Sequence, residues 1–339
     1  MNRITIIGAG GWGTGLGVGL CAMGHDVRIW DIFEENLRNM EADRENRRYL
    51  PGVALPDNLQ ITYSHEASFA GAEIVVFAAP SQQFRSALSS ALPFLRPSMT
   101  VVNLAKGIEQ GTLCRLSEIA GQILPKEIMA RYIALSGPSH AEEVGRGLPT
   151  TLVAAAEERA LAESVQDAFM NERLRIYTSD DVKGVELGGA LKNIIALGAG
   201  ISDGLGFGDN TKAAMMTRGI AEISRLGVAL GAREDTFYGL AGIGDLIVTC
   251  TSMHSRNRRC GIMIGEGLPP ALAVEKVGSV VEGVYTTEAA YALAQKAGVA
   301  MPITEHIYAV LNGTMGARGA VESLMTRSKK HEREEEFMG

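Results

Sequence analysis

Residues 3–31 decide the fold of the first half of the chain and read RITIIGAGGWGTGLGVGLCAMGHDVRIWD. The run opens with a β-branched, apolar stretch at 3–7, which is typical of a buried parallel strand. Small and apolar residues at 16–23 then suit a helix packed closely on a sheet, and 26–30 form a second apolar stretch. This order predicts a strand–helix–strand unit of a parallel sheet.

The glycines between the first strand and the helix have the G-x-G-x-x-G spacing of a dinucleotide-binding turn. Gly8 would make the tight turn, Gly10 would let the backbone approach a pyrophosphate, and Gly13 would allow close packing of helix on strand. The helix N-terminus offers N–H groups to phosphates. Asp31 follows Gly13 by 18 residues, where a carboxylate can bind the adenosine ribose. A purely structural glycine turn with a strand-ending aspartate is the alternative.

An α/β rhythm continues through strands predicted at 73–80, 100–105, 131–135 and 151–155, and helical patterns dominate beyond about residue 181. We therefore predict an α/β Rossmann domain with a doubly wound, mostly parallel sheet over 1–185. An all-α substrate and catalytic domain is predicted over 186–327, and a disordered, charged tail over 328–339.

Composition excludes several classes of protein. Hydrophobic residues make up 46% and charged residues 21% of the 339 positions, which is globular rather than disordered usage. The net charge of −7 argues against nucleic acid as a partner. The four cysteines form no CxxC pair, which favours a cytoplasmic setting. The uncharged run 4–24 is long enough to span a membrane, but its clustered glycines favour the nucleotide-binding turn, so no membrane insertion is expected.

Lys192 is the best candidate for an acid–base group. It lies in an apolar helical stretch, with Gly188, Gly189 and Ala196 on the same side of the helix. A lysine buried there would have a lowered pKa and could exchange a proton near neutral pH. The alternative is a lysine whose stem packs on the helix while its ammonium reaches solvent, and spacing alone does not decide between the two.

Two further segments offer polar groups. Ser255 can cap a helix that begins at Arg256, which would bring N–H groups and a guanidinium to one anion; a solvated basic face is the alternative. Asp245 follows a glycine-rich stretch and either orients a lysine or caps a helix. Cys250 and His254 lack a second pair of ligands, so no metal site is predicted.

Six segments, taken in order, resemble the bacterial NAD(P)-dependent glycerol-3-phosphate dehydrogenases: 8–14, 105–107, 135–139, 186–193, 239–251 and 255–258. The resemblance runs from residue 4 to about 325. It implies a Rossmann domain and a helical domain, usually a homodimer. It also implies reduction of dihydroxyacetone phosphate, a small phosphorylated substrate, to sn-glycerol 3-phosphate for phospholipid synthesis.

The resemblance also implies roles for individual residues. Lys192 would be the proton donor and acceptor, with Lys106 stabilising charge and Asp245 holding the lysine. The substrate would contact Lys106, Gly137, Ser139, Lys192, Asp245, Ser255, Arg256 and Asn257. The cofactor would contact Gly11, Trp12, Lys106, Ala141, Arg256, Val280 and Glu282, besides Gly8, Gly10, Gly13 and Asp31 of the fingerprint.

The chain departs from the family's pattern at three places. Gly11 stands where serine is common, and His140 stands where phenylalanine is frequent. Many relatives carry arginine just after the second strand, whereas this chain reads DIFEE at 31–35. Those carboxylates disfavour the 2′-phosphate of NADP, and Arg28 and Arg38 are the nearest cations in sequence. NAD is therefore the preferred cofactor, with NADP as the second possibility.

Two other functions fit part of the pattern. A β-hydroxy-acid dehydrogenase of the same two-domain build would need a carboxylate anchor in place of Ser255, Arg256 and Asn257. A non-catalytic NAD(H)-sensing protein would have no use for Lys192.

Overall fold

The computed structural model describes residues 1–329, 331 and 332, so most of the predicted tail lies outside the described residues. The N-terminal part contains one eight-stranded sheet in the order β3-β2-β1-β4-β5-β6-β7-β8. Its strands are Arg3–Ile7 (β1), Asp26–Trp30 (β2), Leu59–Ile61 (β3), Ile74–Phe77 (β4), Thr100–Asn103 (β5), Tyr132–Ser136 (β6), Thr150–Ala155 (β7) and Leu174–Ser179 (β8). Neighbouring strands run parallel except β6 and β7, which confirms the doubly wound, mostly parallel sheet.

Helices and short turns connect these strands. The α-helices of this part are Gly11–Ala22 (α1), Glu34–Asp43 (α2), His65–Phe69 (α3), Phe84–Ala91 (α4), Leu116–Ile123 (α5), Lys126–Met129 (α6), Ala141–Gly145 (α7) and Arg159–Phe169 (α8). Strand order reverses between β1 and β4, and a parallel sheet of this kind binds its ligand in the crevice at that point.

The glycine-rich turn lies at this crevice. Gly8 adopts φ +112°, and a Cβ there would lie 2.9 Å from the carbonyl carbon of Ala78 at the end of β4. A Cβ on Gly13 would overlap the carbonyl oxygen of Gly8. Both positions therefore require glycine, one for its backbone conformation and the other for the close approach of α1 to β1.

Among the described residues, the C-terminal part contains eight α-helices: Val182–Gly204 (α9), Asp209–Ala229 (α10), Asp245–Thr251 (α11), Arg256–Gly265 (α12), Pro270–Val277 (α13), Glu282–Ala297 (α14), Pro302–Leu311 (α15) and Ala317–Met325 (α16). Among the described residues, α9 alone is long and apolar enough to cross a membrane, and its most apolar window is entirely buried inside the protein. It is the central helix of this part, with α10, α12 and α14 packed around it.

Helix α9 also joins the two parts of the molecule. It begins at Val182, so the predicted division at 185 falls within its first turn, and that limit stays a prediction. The buried carboxylate of Glu186 accepts hydrogen bonds from the Ser117 N–H (2.8 Å) and Tyr132 hydroxyl (2.8 Å) and pairs with Arg115 (2.9 Å). These contacts tie the first turns of α9 to α5 and β6.

Glycines allow α9 and α12 to touch along their backbones. A Cβ on Gly200 would overlap the carbonyl of Arg258, and a Cβ on Gly261 would overlap the carbonyl of Leu197. Side chains at these positions would push the helices apart, so the two glycines set the distance between α9 and α12. The sequence analysis did not identify this pair.

Strand β8 was also missed. Its sequence, LRIYTS, alternates buried and exposed side chains over its first four residues and lies at the edge of the sheet beside β7. A continuous apolar run is the signal of a central parallel strand. An edge strand in which buried and exposed side chains alternate does not have that signal.

Candidate active site

Asp245 lies at the centre of a buried cluster of charges. Its Oδ1 accepts a hydrogen bond from Lys192 Nζ at 2.5 Å, and its Oδ2 accepts one from Lys106 Nζ at 2.7 Å. The residue is 1% exposed and Lys192 is 6% exposed. Lys192 comes from the middle of α9, Asp245 begins α11, and Lys106 follows β5. The structure therefore brings together the three residues for which catalytic roles were predicted.

The lysine ammonium groups have further partners. Lys192 also donates to Thr249 Oγ1 at 2.6 Å, and Lys106 donates to the carbonyl of Gly137 at 2.9 Å. Ser139 Oγ lies 3.5 Å from Lys106 Nζ. An ammonium has three N–H donors, so Lys192 keeps one that is not used by Asp245 or Thr249. That donor is available to a substrate oxygen.

Burial and charge tune these groups in opposite directions. Burial lowers the pKa of Lys192 to about 8; Asp245 opposes that effect, and the charge of Lys106 adds to it. Burial alone would raise the pKa of Asp245, but the ammonium groups of Lys106 and Lys192 outweigh it and hold the pKa below its usual range. The cluster thus keeps a charged carboxylate beside a lysine that titrates near physiological pH.

Thr249 is a site residue that the sequence analysis missed. Its hydroxyl accepts from Lys192 and donates to the Asp245 carbonyl at 2.6 Å, which fixes the side chain one turn after Asp245. The i, i+4 spacing places both side chains on one face of α11, and this was the signal available in the sequence.

Helix α12 begins beside this cluster. Ser255 caps it, accepting a hydrogen bond from the Arg258 N–H at 3.2 Å as predicted. Arg256 is exposed, and its guanidinium makes no hydrogen bond or ion pair with any residue that the structure describes. A free guanidinium beside a helix N-terminus is suited to bind a phosphate.

Asn257 has a different environment from the one expected of a substrate contact. Its side-chain amide donates to Asn193 Oδ1 at 2.9 Å, and its Oδ1 accepts from the Gly283 N–H at 2.8 Å. Its side chain is thus used to join α12 to α9, next to Lys192, and to α14. The backbone N–H of Asn257 lies in the first turn of α12, where main-chain donors have no partner within the helix and can face an anion.

The residues predicted to hold the dinucleotide suit that group. The Gly8 N–H donates to the carbonyl of Trp30 at 2.7 Å, which joins the glycine turn to the end of β2. Asp31 Oδ2 accepts from the Ala9 N–H at 2.6 Å. Gly10 has no atom within 4 Å of where its Cβ would lie, and no side chain caps α1. The turn is therefore open to a phosphate at the N-terminus of α1.

Two more of the predicted cofactor contacts, Trp12 and Ala141, lie at this turn. The indole N–H of Trp12 is buried and has no hydrogen-bond partner among the described residues. Ala141 faces the start of α1, since a Cβ on Gly11 would lie 3.4 Å from its methyl carbon. A buried donor without a partner is costly, and a bound polar ligand would satisfy it.

The last two predicted cofactor residues lie at the start of α14. Glu282 accepts hydrogen bonds from Ser81, from the N–H at 2.9 Å and from the hydroxyl at 2.5 Å, and so connects α14 to the turn after β4. Val280 is half-buried in the loop before it. Within the described residues, neither Val280 nor Glu282 forms a hydrogen bond or ion pair with the glycine turn.

Two departures from the family pattern lie at this cleft. A Cβ on Gly11 would lie 2.7 Å from the carbonyl oxygen of Tyr49, so glycine lets the segment before β3 approach α1. His140 Nε2 lies 3.4 Å from the Val248 carbonyl on α11, and burial together with the charge of Lys192 lowers its pKa. No group of three His, Cys, Asp or Glu side chains suited to a metal occurs in the described part of the chain.

Comparisons with known proteins agree across the whole chain. The family model for the NAD-dependent glycerol-3-phosphate dehydrogenase N-terminus matches residues 3–162, and the model for the C-terminus matches 181–322. A protein of Pelotomaculum thermopropionicum named glycerol-3-phosphate dehydrogenase (NAD(P)+) is 53% identical over 334 residues, covering 98% of this chain and 96% of that protein. One of Clostridium perfringens with the same name is 49% identical over 332 residues, covering 98% and 99%.

A solved structure is also similar. The crystal structure of glycerol-3-phosphate dehydrogenase from Coxiella burnetii has a TM-score of 0.91 and 35% identity, covering 96% of this chain and 99% of that one.

Proposed function

The chain belongs to the NAD-dependent glycerol-3-phosphate dehydrogenase family, and we propose which of its residues carry out the reaction. It is an oxidoreductase that interconverts dihydroxyacetone phosphate and sn-glycerol 3-phosphate with NAD(P)H. The nicotinamide, when bound, supplies the hydride that C2 of the ketone receives. Residues 8–13 with Asp31 would hold the dinucleotide, together with Lys106, Ala141, Arg256, Val280 and Glu282.

Lys192 supplies the proton. Its third N–H hydrogen-bonds to the ketone oxygen and transfers a proton to that oxygen as negative charge develops there. In the oxidation direction, neutral Lys192 takes the proton from the alcohol. Lys106 adds positive charge, and Asp245 holds both ammonium groups in place. The buried hydrogen bond between Lys192 and Asp245 is the observation that carries this proposal.

The lowered pKa of Lys192 predicts a pH dependence. Below a pKa of about 8 the group is protonated and can donate, and above it the group is neutral and can accept. We therefore expect kcat for ketone reduction to fall as pH rises through this region and kcat for alcohol oxidation to rise. Steady-state rates from pH 6 to 10 in both directions measure this. Parallel profiles in the two directions would contradict the assignment of Lys192.

The free guanidinium of Arg256, with the first turn of α12 and Ser255, would bind the substrate phosphate. Arg256→Gln keeps hydrogen-bonding capacity but removes the charge, so we expect kcat/KM for dihydroxyacetone phosphate to fall at least about tenfold, because a charge-assisted hydrogen bond contributes roughly 1.5–3 kcal/mol. Unphosphorylated dihydroxyacetone should be barely affected. Equal losses on both substrates would place Arg256 away from the phosphate.

The cofactor preference is a separate proposal. Four carboxylates and two guanidiniums lie among the residues lining a pocket of about 490 Å³ beyond β2: Glu34, Glu35, Asp43, Glu45, Arg47 and Arg48. Of the two cations considered from sequence, Arg28 donates to the carbonyls of Ala67 and Ala70, away from this pocket. Arg38 pairs with Glu34 and so offsets one of the four carboxylates. Arg47 in turn pairs with Asp43 at 3.2 Å. A 2′-phosphate would meet net negative charge here.

We therefore expect kcat/KM to favour NADH over NADPH by about tenfold, as one repulsive charge pair near a surface corresponds to roughly 1–2 kcal/mol. Asp31→Ser combined with Ile32→Arg should reverse the preference. Initial rates with both cofactors measure it, and Arg159→Gln, which breaks an exposed ion pair with Glu163 on α8, is a control that should leave the ratio unchanged. Wild-type efficiency with NADPH equal to or above that with NADH would contradict this proposal without affecting the reaction.

We further propose that the enzyme is a cytoplasmic homodimer whose product supplies phospholipid synthesis. The resemblance described above supports the homodimer and the role in phospholipid synthesis, and the lack of a CxxC pair among the four cysteines supports the cytoplasmic setting.

A further inference from the structure

Arg258 differs from its neighbour Arg256 in the first turn of α12. Its side chain is 13% exposed, and its Nε and Nη2 each lie 2.8 Å from Asp203 Oδ2. Its Nη1 donates to the Thr251 carbonyl at 2.7 Å. The guanidinium thus has its partners within the protein and is not free to bind a ligand.

These contacts join three helices. Asp203 lies in the last turn of α9, Thr251 is the last residue of α11, and Arg258 lies in the first turn of α12. Each helix contributes part of the site: Lys192 from α9, Asp245 from α11, and Ser255 and Arg256 from the start of α12. The side chain of Arg258 touches all three helices.

The backbone at Arg258 is fixed as well. Its carbonyl packs against Gly200 so closely that a Cβ there would overlap it. The main chain therefore sets the separation of α12 from α9, while the guanidinium holds residues 251–257, which run from the last residue of α11 into the first turn of α12. We call residues 251–257 the anion turn.

We propose that Arg258 is a positioning residue that holds the anion turn at a set distance from Lys192, so that one substrate molecule reaches both with its phosphate and its carbonyl. This rests on the proposed function, because it takes the anion turn as the phosphate site. The guanidinium is used by Asp203 and by the Thr251 carbonyl, so its contribution comes through geometry. An error of about 1 Å in placing a reacting group can cost up to about 100-fold in rate.

Arg258→Lys tests the proposal. A lysine keeps the charge and can pair with Asp203. Its single ammonium lacks the planar set of N–H donors with which the arginine also reaches the Thr251 carbonyl. We expect kcat/KM for dihydroxyacetone phosphate to fall at least about tenfold, chiefly through KM, while kcat/KM for unphosphorylated dihydroxyacetone stays within about twofold. Calorimetry should show weaker binding of sn-glycerol 3-phosphate, with NADH binding unchanged.

Lys212→Met is the matched control. Lys212 Nζ pairs with the other oxygen of the same carboxylate, Asp203 Oδ1, at 2.9 Å, but it comes from α10 and does not reach the anion turn. Its loss leaves Arg258 paired with Asp203, so both substrates should stay within about twofold of wild type. If Arg258→Lys does not fold, Asp203→Asn carries the test, with the same split between the two substrates and a smaller loss.

Equal losses on the two substrates, or no loss on either, would overturn the positioning role. The proposed function fails separately, if the wild type does not reduce dihydroxyacetone phosphate at all. The ratio between phosphorylated and unphosphorylated substrate therefore reports on Arg258 alone.

Discussion

Lys192→Met is expected to lower kcat for dihydroxyacetone phosphate reduction by at least about 100-fold, since general acid catalysis contributes roughly 10²–10⁴ in rate. Methionine has a similar length and suits the buried surroundings, where Lys192 is only 6% exposed. It removes the proton donor and one of the two positive charges beside the reacting oxygen. The glycine turn is untouched, so NADH binding should stay close to that of wild type.

Stopped-flow reduction and fluorescence titration with NADH measure the two effects separately. Lys183→Met is a matched control, because Lys183 lies on the same helix in its first turn, outside the charge cluster. It should retain nearly full activity. A Lys192→Met variant that kept more than about a tenth of the wild-type kcat would show that another group donates the proton.

Asp245→Asn should have an effect of similar size, by a different route. The carboxylate is the shared partner of Lys192 at 2.5 Å and Lys106 at 2.7 Å, and its side chain is 2% exposed. Without its charge the two ammonium groups repel each other, and the pKa of Lys192 falls further because Asp245 is what raises it against burial. Lys192 is then largely neutral at neutral pH and cannot donate.

We expect kcat for reduction at pH 7.5 to fall at least about 100-fold, with partial recovery as pH is lowered and Lys192 protonates again. Breaking a buried pair also costs stability, by roughly 3–5 kcal/mol, so thermal unfolding should occur at a lower temperature. Asp180→Asn is the control, since Asp180 pairs with Arg233 at the surface and is 56% exposed. Unchanged pH dependence in Asp245→Asn would separate Asp245 from the titration of Lys192.

Much of the fold could be predicted because its signals are local. The strand β2 was predicted with its observed limits, and β1 likewise, since a run of β-branched residues flanked by glycine is a short-range pattern. Gly8 and Gly13 were assigned the roles that the backbone now shows. The helical patterns predicted beyond about residue 181 likewise agree with the α-helices α9 to α16.

Local sequence patterns could not predict which residues the catalytic groups contact. Lys192 and Asp245 are 53 residues apart, and Lys106 and Asp245 are 139 apart, so their contact depends on how α9 and α11 pack against the end of β5. The resemblance to a family named these three residues, but the residues alone left Lys192 undecided between a buried and a snorkelling side chain. Burial by other helices decides that question, and it also sets the pKa.

The sequence by itself therefore determined the dinucleotide-binding turn, the order of most strands and helices, and the residue types that the chemistry needs. Only the tertiary structure decided which of them meet: Thr249 with Lys192, Asn257 with Asn193, and Arg258 with Asp203. The physical reason is that periodicity and turn chemistry act over a few residues. Close packing of α9 on α12, through Gly200 and Gly261, instead brings together groups that are more than 50 residues apart in the chain.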